Sequence, residues 1–332
     1  MPSICKTIPF SVWHRINSIR LVVPHWHIVS DQEVPHVNGL YRSRNIRQFR
    51  ADLEFFLQNY FPVTEVDVIR HLYDGLLLPP RSVLFTFDDG FREINDVVAP
   101  ILRAKGIPAV FFLITSTVDN KKMSDAQKKS LLVNSLSGRQ SSASLDEANR
   151  LLSLAGVSPN SNLTSRIRAV SFHQRHVLDG LERVLNIDFQ WYLTTQKPYL
   201  SSEHVEELVR QGFGIGAHSV DHPLYEELSL DQQLVQTRES IRWLSEHFRI
   251  QCCSFAFPYR DSGVSLDFFR VMYAEGEMKL SFGTGGLIPH PFPYNLPRFS
   301  LERTDLTAAE VLAGQFGRRF IRWKLGISYN ER

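Results

Sequence analysis

Apolar runs alternate with helical stripes along this chain, and the alternation predicts an α/β fold. Val83 to Phe87 is short, aromatic and β-branched, the character of a strand covered by helices on both faces. Ile107 to Ile114, Phe213 to Ala217, Cys252 to Phe257 and Leu280-Ser281-Phe282 read the same way. Ile19 to Val23 predicts a first strand closed by Pro24, and Leu296 to Leu301 an element that closes the sheet or barrel. Helical spacing appears at Ile46, Phe49, Leu53, Phe56 and Leu57, over Thr64 to Tyr73, over Asn95 to Lys105 with Pro100 interrupting, and at Leu234, Ile241, Leu244 and Phe248. Ser201 or Ser202 can cap a helix carrying Val205, Leu208 and Val209, and Ser229 with Gln232 forms a capping box. Strand, helix and strand in this order argue for right-handed parallel crossovers.

Residues 119–195 depart from the alternation. Leu131-Leu132, Leu151-Leu152 and Val177-Leu178 with Leu181 and Leu185 suggest helices joined by serine-rich connections. A structureless loop of that length is foreign to a compact domain. The stretch therefore predicts a mainly helical insertion, either a roof that selects substrate or a structural cap. With no repeat and no clean boundary, residues 1–332 read as a single domain, and residues 303–332 as a C-terminal helical extension.

Composition adds exclusions. The chain has 332 residues, 43% hydrophobic and 22% charged, with a formal net charge of +2, which gives no ground for nucleic-acid binding. Cys5, Cys252 and Cys253 form no Cys-x-x-Cys pair and suggest no disulfide scaffold. No transmembrane run and no signal-peptide core are apparent, so the expected location is the cytoplasm or the periphery of the inner membrane surface. The segment Arg318 to Lys324 mixes basic and apolar groups. It fits either peripheral contact with an acidic membrane or polyanion, or a solvated helix packed by Phe320 and Trp323.

Candidate chemistry sits where α/β folds place it, at strand ends. Asp88, Asp89 and Gly90 follow the Val83–Phe87 run, although Asp-Asp-Gly also describes an ordinary turn. His218 and His222 follow Phe213 to Ala217 and converge if that stretch turns helically. A carboxylate and two neutral imidazoles suit zinc and related divalent ions. Asp89, His218 and His222 would form such a set with positions left open for water and substrate, while Asp88 would accept a proton from that water. His25 and His27, at alternating positions, can share one side of an extended segment.

At these residues the chain resembles the polysaccharide deacetylase family, the NodB-homology carbohydrate esterases. Thr86-Phe87-Asp88-Asp89-Gly90 is similar to its first motif, Gly216 to His222 to its second, and Ser254 to Tyr259 to one form of its third. The resemblance implies a distorted (β/α) barrel of seven strands and metal-dependent hydrolysis of N-acetyl, or sometimes O-acetyl, groups on a carbohydrate. It implies Asp88 as general base, Asp89, His218 and His222 as ligands of one divalent ion, Zn2+ by expectation, and the Tyr259 backbone N–H as an oxyanion donor. An acetylated carbohydrate would be the partner. The arginine usual in the third motif is absent, and Arg298, with Arg260 as runner-up, is the candidate replacement that orients Asp88. No clean Leu-x-His supplies the usual acid, leaving His290 or His27. Tyr225, Trp191, Tyr192 and Tyr294 are candidate sugar-stacking surfaces. These gaps keep open a non-catalytic, metal-stabilised sugar-binding protein, and a hydrolase of another amide or O-acyl ester.

Overall fold

The computed structural model describes residues 19–325, apart from 139, 303 and 304, together with residue 12. Its strands in chain order are β1 (Leu21–Val22), β2 (Pro24–Trp26), β3 (Phe61–Pro62), β4 (Ser82–Val83), β5 (Phe85–Phe87), β6 (Ala109–Leu113), β7 (Gly214–Ala217), β8 (Ser254–Ala256), β9 (Leu280–Phe282), β10 (Asn295–Leu296) and β11 (Phe299–Ser300). The main sheet is eight-stranded, in the order β10-β9-β8-β7-β6-β5-β2-β11, and its neighbours pair in parallel. A small parallel sheet, β1-β4-β3, extends it.

Chain connectivity forces the main sheet to curl. Its two edges, β10 and β11, are separated in sequence by Pro297 and Arg298 alone, so they stand no more than about 11 Å apart. A flat sheet of this width would hold its edges roughly 33 Å apart. The result is an open, curled sheet that resembles a distorted barrel. It has eight strands where seven were expected. The single closing element expected over Leu296 to Leu301 in fact holds the last residue of one edge strand, β10, and the whole of the other, β11. The jog at Pro297, which has no N–H to give a ladder, separates them. Pro24 likewise begins β2 rather than ending a strand, and its carbonyl accepts the Thr86 hydroxyl at 2.9 Å.

The flanking helices follow from their caps. Asn45, Thr64, Ser201 and Ser229 form capping boxes at the starts of Ile46–Asn59, Glu65–Tyr73, Ser202–Arg210 and Leu230–Phe248. The first of these buries Phe49, Leu53 and Phe56. The rings of Phe49 and Phe56 meet Trp26, Phe85 and Phe87 of the sheet. Asn95 to Lys105 is not one interrupted helix. A π-helical turn, Ile94–Val98, hands over to Ala99–Ala104, with Pro100 in the new helix's first turn, where a missing N–H is harmless.

Within the expected insertion lie the helices Asp125–Ser135, Ser142–Leu154, Leu163–Arg168, Val177–Val184 and Phe189–Gln196. Leu132, Leu152, Ile167, Leu178 and Leu181 form a second apolar core with Val37, Phe91 and Tyr199 of the barrel side. The last described helix, Ala308–Leu325, buries Leu312 and Phe316 and leaves Trp323 70% exposed. No helix among the described residues is long and apolar enough to cross a membrane.

Candidate active site

The carboxyl end of β5 sets the geometry. The Asp88 N–H donates to the Trp26 carbonyl, and the Gly90 N–H donates back to the Asp88 carbonyl at 3.0 Å. This three-residue turn puts Asp89 at φ +70°, a rarely occupied conformation of the kind that collects at functional sites. Gly90 follows at φ +72°, and a Cβ there would lie 3.0 Å from Leu113 Cδ2. Position 90 therefore needs glycine on both counts.

β7 delivers His218 and His222 to the same point. They converge through a tight loop, not the helical turn expected from their spacing. Ser219 and His222 have φ of +66° and +59°, the His222 N–H donates to Ser219 Oγ at 2.9 Å, and Gln236 Oε1 accepts the N–H groups of Val220 and Asp221. His218 Nδ1 lies 2.8 Å from the Ala256 carbonyl. Donation there fixes the tautomer and turns the Nε2 lone pair inward. His218 Nε2 and His222 Nε2 each lie 3.4 Å from Asp89 Oδ1.

These donors fit a divalent cation. Asp89 Oδ1 is buried with no hydrogen-bond partner, a costly state unless something positive satisfies it. All three donor atoms lie within 4.8 Å of one another. Burial pushes His222 down to about 3, keeping it neutral as a ligand must be. His25, His27 and Asp88 form an adjoining group that meets the same distance limit.

Asp88 is locked by Arg298. Nη1 lies 2.7 Å from Oδ1 and Nη2 2.8 Å from Oδ2, and both residues are buried. Burial alone would raise the carboxyl, but the guanidinium outweighs it and holds Asp88 well below the ordinary carboxylate range. Arg298 also donates to the Gly283 carbonyl and to Thr86 Oγ1. The runner-up, Arg260, is instead exposed and paired with Glu226.

Tyr259 ends the β8 loop at φ +56°, with the Arg260 N–H donating to the Pro258 carbonyl. Its own N–H donates to no group of the described chain. Its ring lies 4.6 Å from that of His222 and is 48% exposed. Asp261, buried just beyond, accepts from the Thr284 N–H and from Asn295 Nδ2, which ties this loop to β10.

Other sequence candidates fall elsewhere. His290 packs on Phe269 at 4.5 Å and accepts the Phe292 N–H. It lines a separate cavity with Ile19, Arg20 and Leu21, at the amino end of β1. Tyr225 is fully buried against Phe255 and Phe257, unavailable for sugar stacking. Tyr294 stacks on Tyr73, Tyr192 bonds His36, and Trp191 is exposed.

Glu302 was not anticipated. Its Oε2 lies 2.7 Å from His27 Nδ1 and its Oε1 accepts the His27 N–H at 2.8 Å. Burial would lower His27, but this carboxylate raises it to about 10. The signal lies in sheet register: Phe299 pairs with Pro24 and Ser300 with His25, so position 302 lands opposite position 27. Reading it requires knowing that β11 lies beside β2.

The polysaccharide deacetylase family profile matches residues 78–146 and 171–268, just over half of the chain. The chain belongs to that family. Poly-beta-1,6-N-acetyl-D-glucosamine N-deacetylase of Escherichia coli (strain K12) is 30% identical over 95 residues, which are 28% of this chain and only 14% of that protein's length. Streptococcus pyogenes deacetylase PplD in complex with acetate is similar in fold, with a TM-score of 0.58 at 16% identity over 89% of this chain and 97% of that one. IcaB from Ammonifex degensii gives a TM-score of 0.52 at 18% identity over 88% of this chain and 96% of that one.

Proposed function

We propose that this protein is a metal-dependent carbohydrate deacetylase that releases acetate from an N-acetylated sugar. The observation that carries this reading is one cluster in which Asp89, His218 and His222 converge while Asp88, held by Arg298, adjoins them outside that set. Asp89, His218 and His222 would hold a divalent ion, zinc by donor type. Such an ion supplies Lewis-acid polarisation of the acyl group and acidifies water.

The chain's own groups account for the proton transfers. Asp88, kept ionised by Arg298, takes a proton from the water as its oxygen bonds to the acetyl carbon. The Tyr259 N–H donates to the oxygen on which charge develops. His27, charged through its contact with Glu302, gives its proton to the sugar nitrogen as the carbon–nitrogen bond breaks. Acetate and the amino sugar leave. His27 takes the acid role in place of His290, because it stands beside Asp88 and His290 does not. Arg298 and His27 together supply the two groups whose apparent absence favoured a non-catalytic sugar-binding protein.

The test is acetate release from N-acetylglucosamine oligomers by the metal-loaded protein, with O-acetylated sugars in parallel. Amine and acetate appearing in equal amounts supports the reading. Release from O-acetyl sugars alone makes the protein an esterase, and no release from either class overturns the proposal.

A further inference from the structure

The end of the barrel away from the reaction centre carries groups that the proposed reaction leaves unused. Asp88 and Asp89 stand at the carboxyl end of β5, whereas the loop of residues 74–81 enters β4 and β5 from their amino ends. About 20 Å of chain, residues 82–87, lies between them. On this loop Leu76 and Leu77 are 56% and 78% exposed. The loop is nonetheless held in place. The Leu76 N–H donates to the Arg70 carbonyl at 3.3 Å, and Arg20 Nη1 donates to the Leu78 carbonyl at 2.6 Å. Neighbouring exposed leucines on a fixed loop are the kind of apolar surface that marks a contact site.

The last turns of the helix Ala308–Leu325 reach the same end. Arg319 Nη1 donates to the Leu287 carbonyl at 2.9 Å. Arg319 and Arg20 line one cavity of about 300 Å³, so the leucine loop and the helix end flank a common opening. Trp323 and Leu325 are exposed there, and Lys324 Nζ lies over the Trp323 ring, 5.2 Å from its centroid. Residues 317–325 hold Arg318, Arg319, Arg322 and Lys324 and no acid, while Arg70 and Arg81 flank the leucine loop against one acid, Asp74. A polyanion would pair with the cations and leave Leu76, Leu77 and Leu325 in water. An anionic bilayer engages both sets: its headgroups attract the cations, its acyl boundary takes the leucines, and tryptophan settles between.

We infer that this end of the barrel docks on the surface of an anionic lipid bilayer, with Leu76 and Leu77 entering the acyl boundary and Arg318 and Lys324 on the headgroups. The inference is independent of the deacetylase reading. Docking by the amino ends of the strands turns the reaction centre, at their carboxyl ends, away from the bilayer and toward material in solution.

The experiment sediments the full chain with vesicles of phosphatidylcholine alone and of phosphatidylcholine with about one-third phosphatidylserine. The unaltered protein should partition onto the anionic vesicles and not the neutral ones, less so in high salt. The double variant L76S/L77S should bind at least tenfold more weakly, the scale of two leucines left in water. The double variant R318S/K324S, at two exposed positions, should bind about 30-fold more weakly, the surface attraction of two cations. V235S is the control. Val235 is also exposed, but it lies at the other end, beside Gln236, which holds the His218–His222 loop. It should bind as the unaltered protein does, and thermal unfolding should be the same for all four proteins. Absence of vesicle binding, equal binding to both compositions, or binding that both double variants retain overturns the proposal. So does a dimer in sedimentation velocity that L76S/L77S abolishes without vesicle binding, which assigns the face to a second copy of this chain. Binding to heparin but not to vesicles, lost in R318S/K324S and kept in L76S/L77S, assigns it to a polyanion instead.

Discussion

Arg298 grips Asp88 with both ends of its guanidinium fork, at 2.7 and 2.8 Å, across 210 residues of sequence. Arg298 occupies the two-residue gap between the sheet's edges, so the residue that brings the barrel's ends together also orients the proposed base. Fold closure and site geometry are thus one constraint.

Replacing that fork separates charge from shape. R298K keeps a cation but cannot bond both carboxylate oxygens in the same plane. Acetate release should fall about 100-fold with little change in metal content. R298A leaves a buried carboxylate unpaired and should cost about 3–5 kcal/mol of stability, measured by denaturant unfolding. A fully active R298K would show that orientation of Asp88 does not matter.

Removing ligands should act on the ion before it acts on the fold. H222A and D89N should each bind the divalent ion at least tenfold more weakly in a metal titration. Metal affinity unchanged in either variant would remove that residue from the ligand set.

Much of this was legible from the chain alone, and for definite reasons. Asp88 and Asp89 follow a strand that its β-branched and aromatic residues announce, and the cap at Ser201 or Ser202 and the capping box at Ser229 mark their helices locally. The turn chemistry at Asp89, Ser219 and His222 was hidden, because positive φ at a non-glycine residue is imposed by the surrounding fold. The His27–Glu302 pair was hidden for a different reason. It arises from β11 lying against β2, a neighbour relation set by how the curled sheet closes and carried by no local pattern. The same closure explains why one apolar segment became two edge strands.

The His27–Glu302 contact predicts a pH signature. Glu302 raises His27 to about 10, so the imidazolium persists through neutral pH and is lost as pH rises through that value. Any stability from the pair is fully present below the unfolded histidine's ordinary value of about 6.5 and fades as pH approaches 10. In E302Q burial remains and the attraction is gone, so the alkaline limb of kcat/KM should move down toward about 6.5 or below. A pH–rate profile from pH 5 to about 10 checks this. Identical alkaline limbs in the two proteins would exclude His27 as the acid.

The central claim is that Asp89, His218 and His222 hold one ion while Asp88 stays outside that set and moves a proton. Metal stoichiometry and acetate release measured side by side for D88N and the unaltered protein test it most directly. D88N should keep equal metal content, near one ion per chain, and turn over about 10²–10⁴ more slowly, the range for loss of a general base. Acetate release at the unaltered rate, or loss of the ion on this substitution, would contradict it.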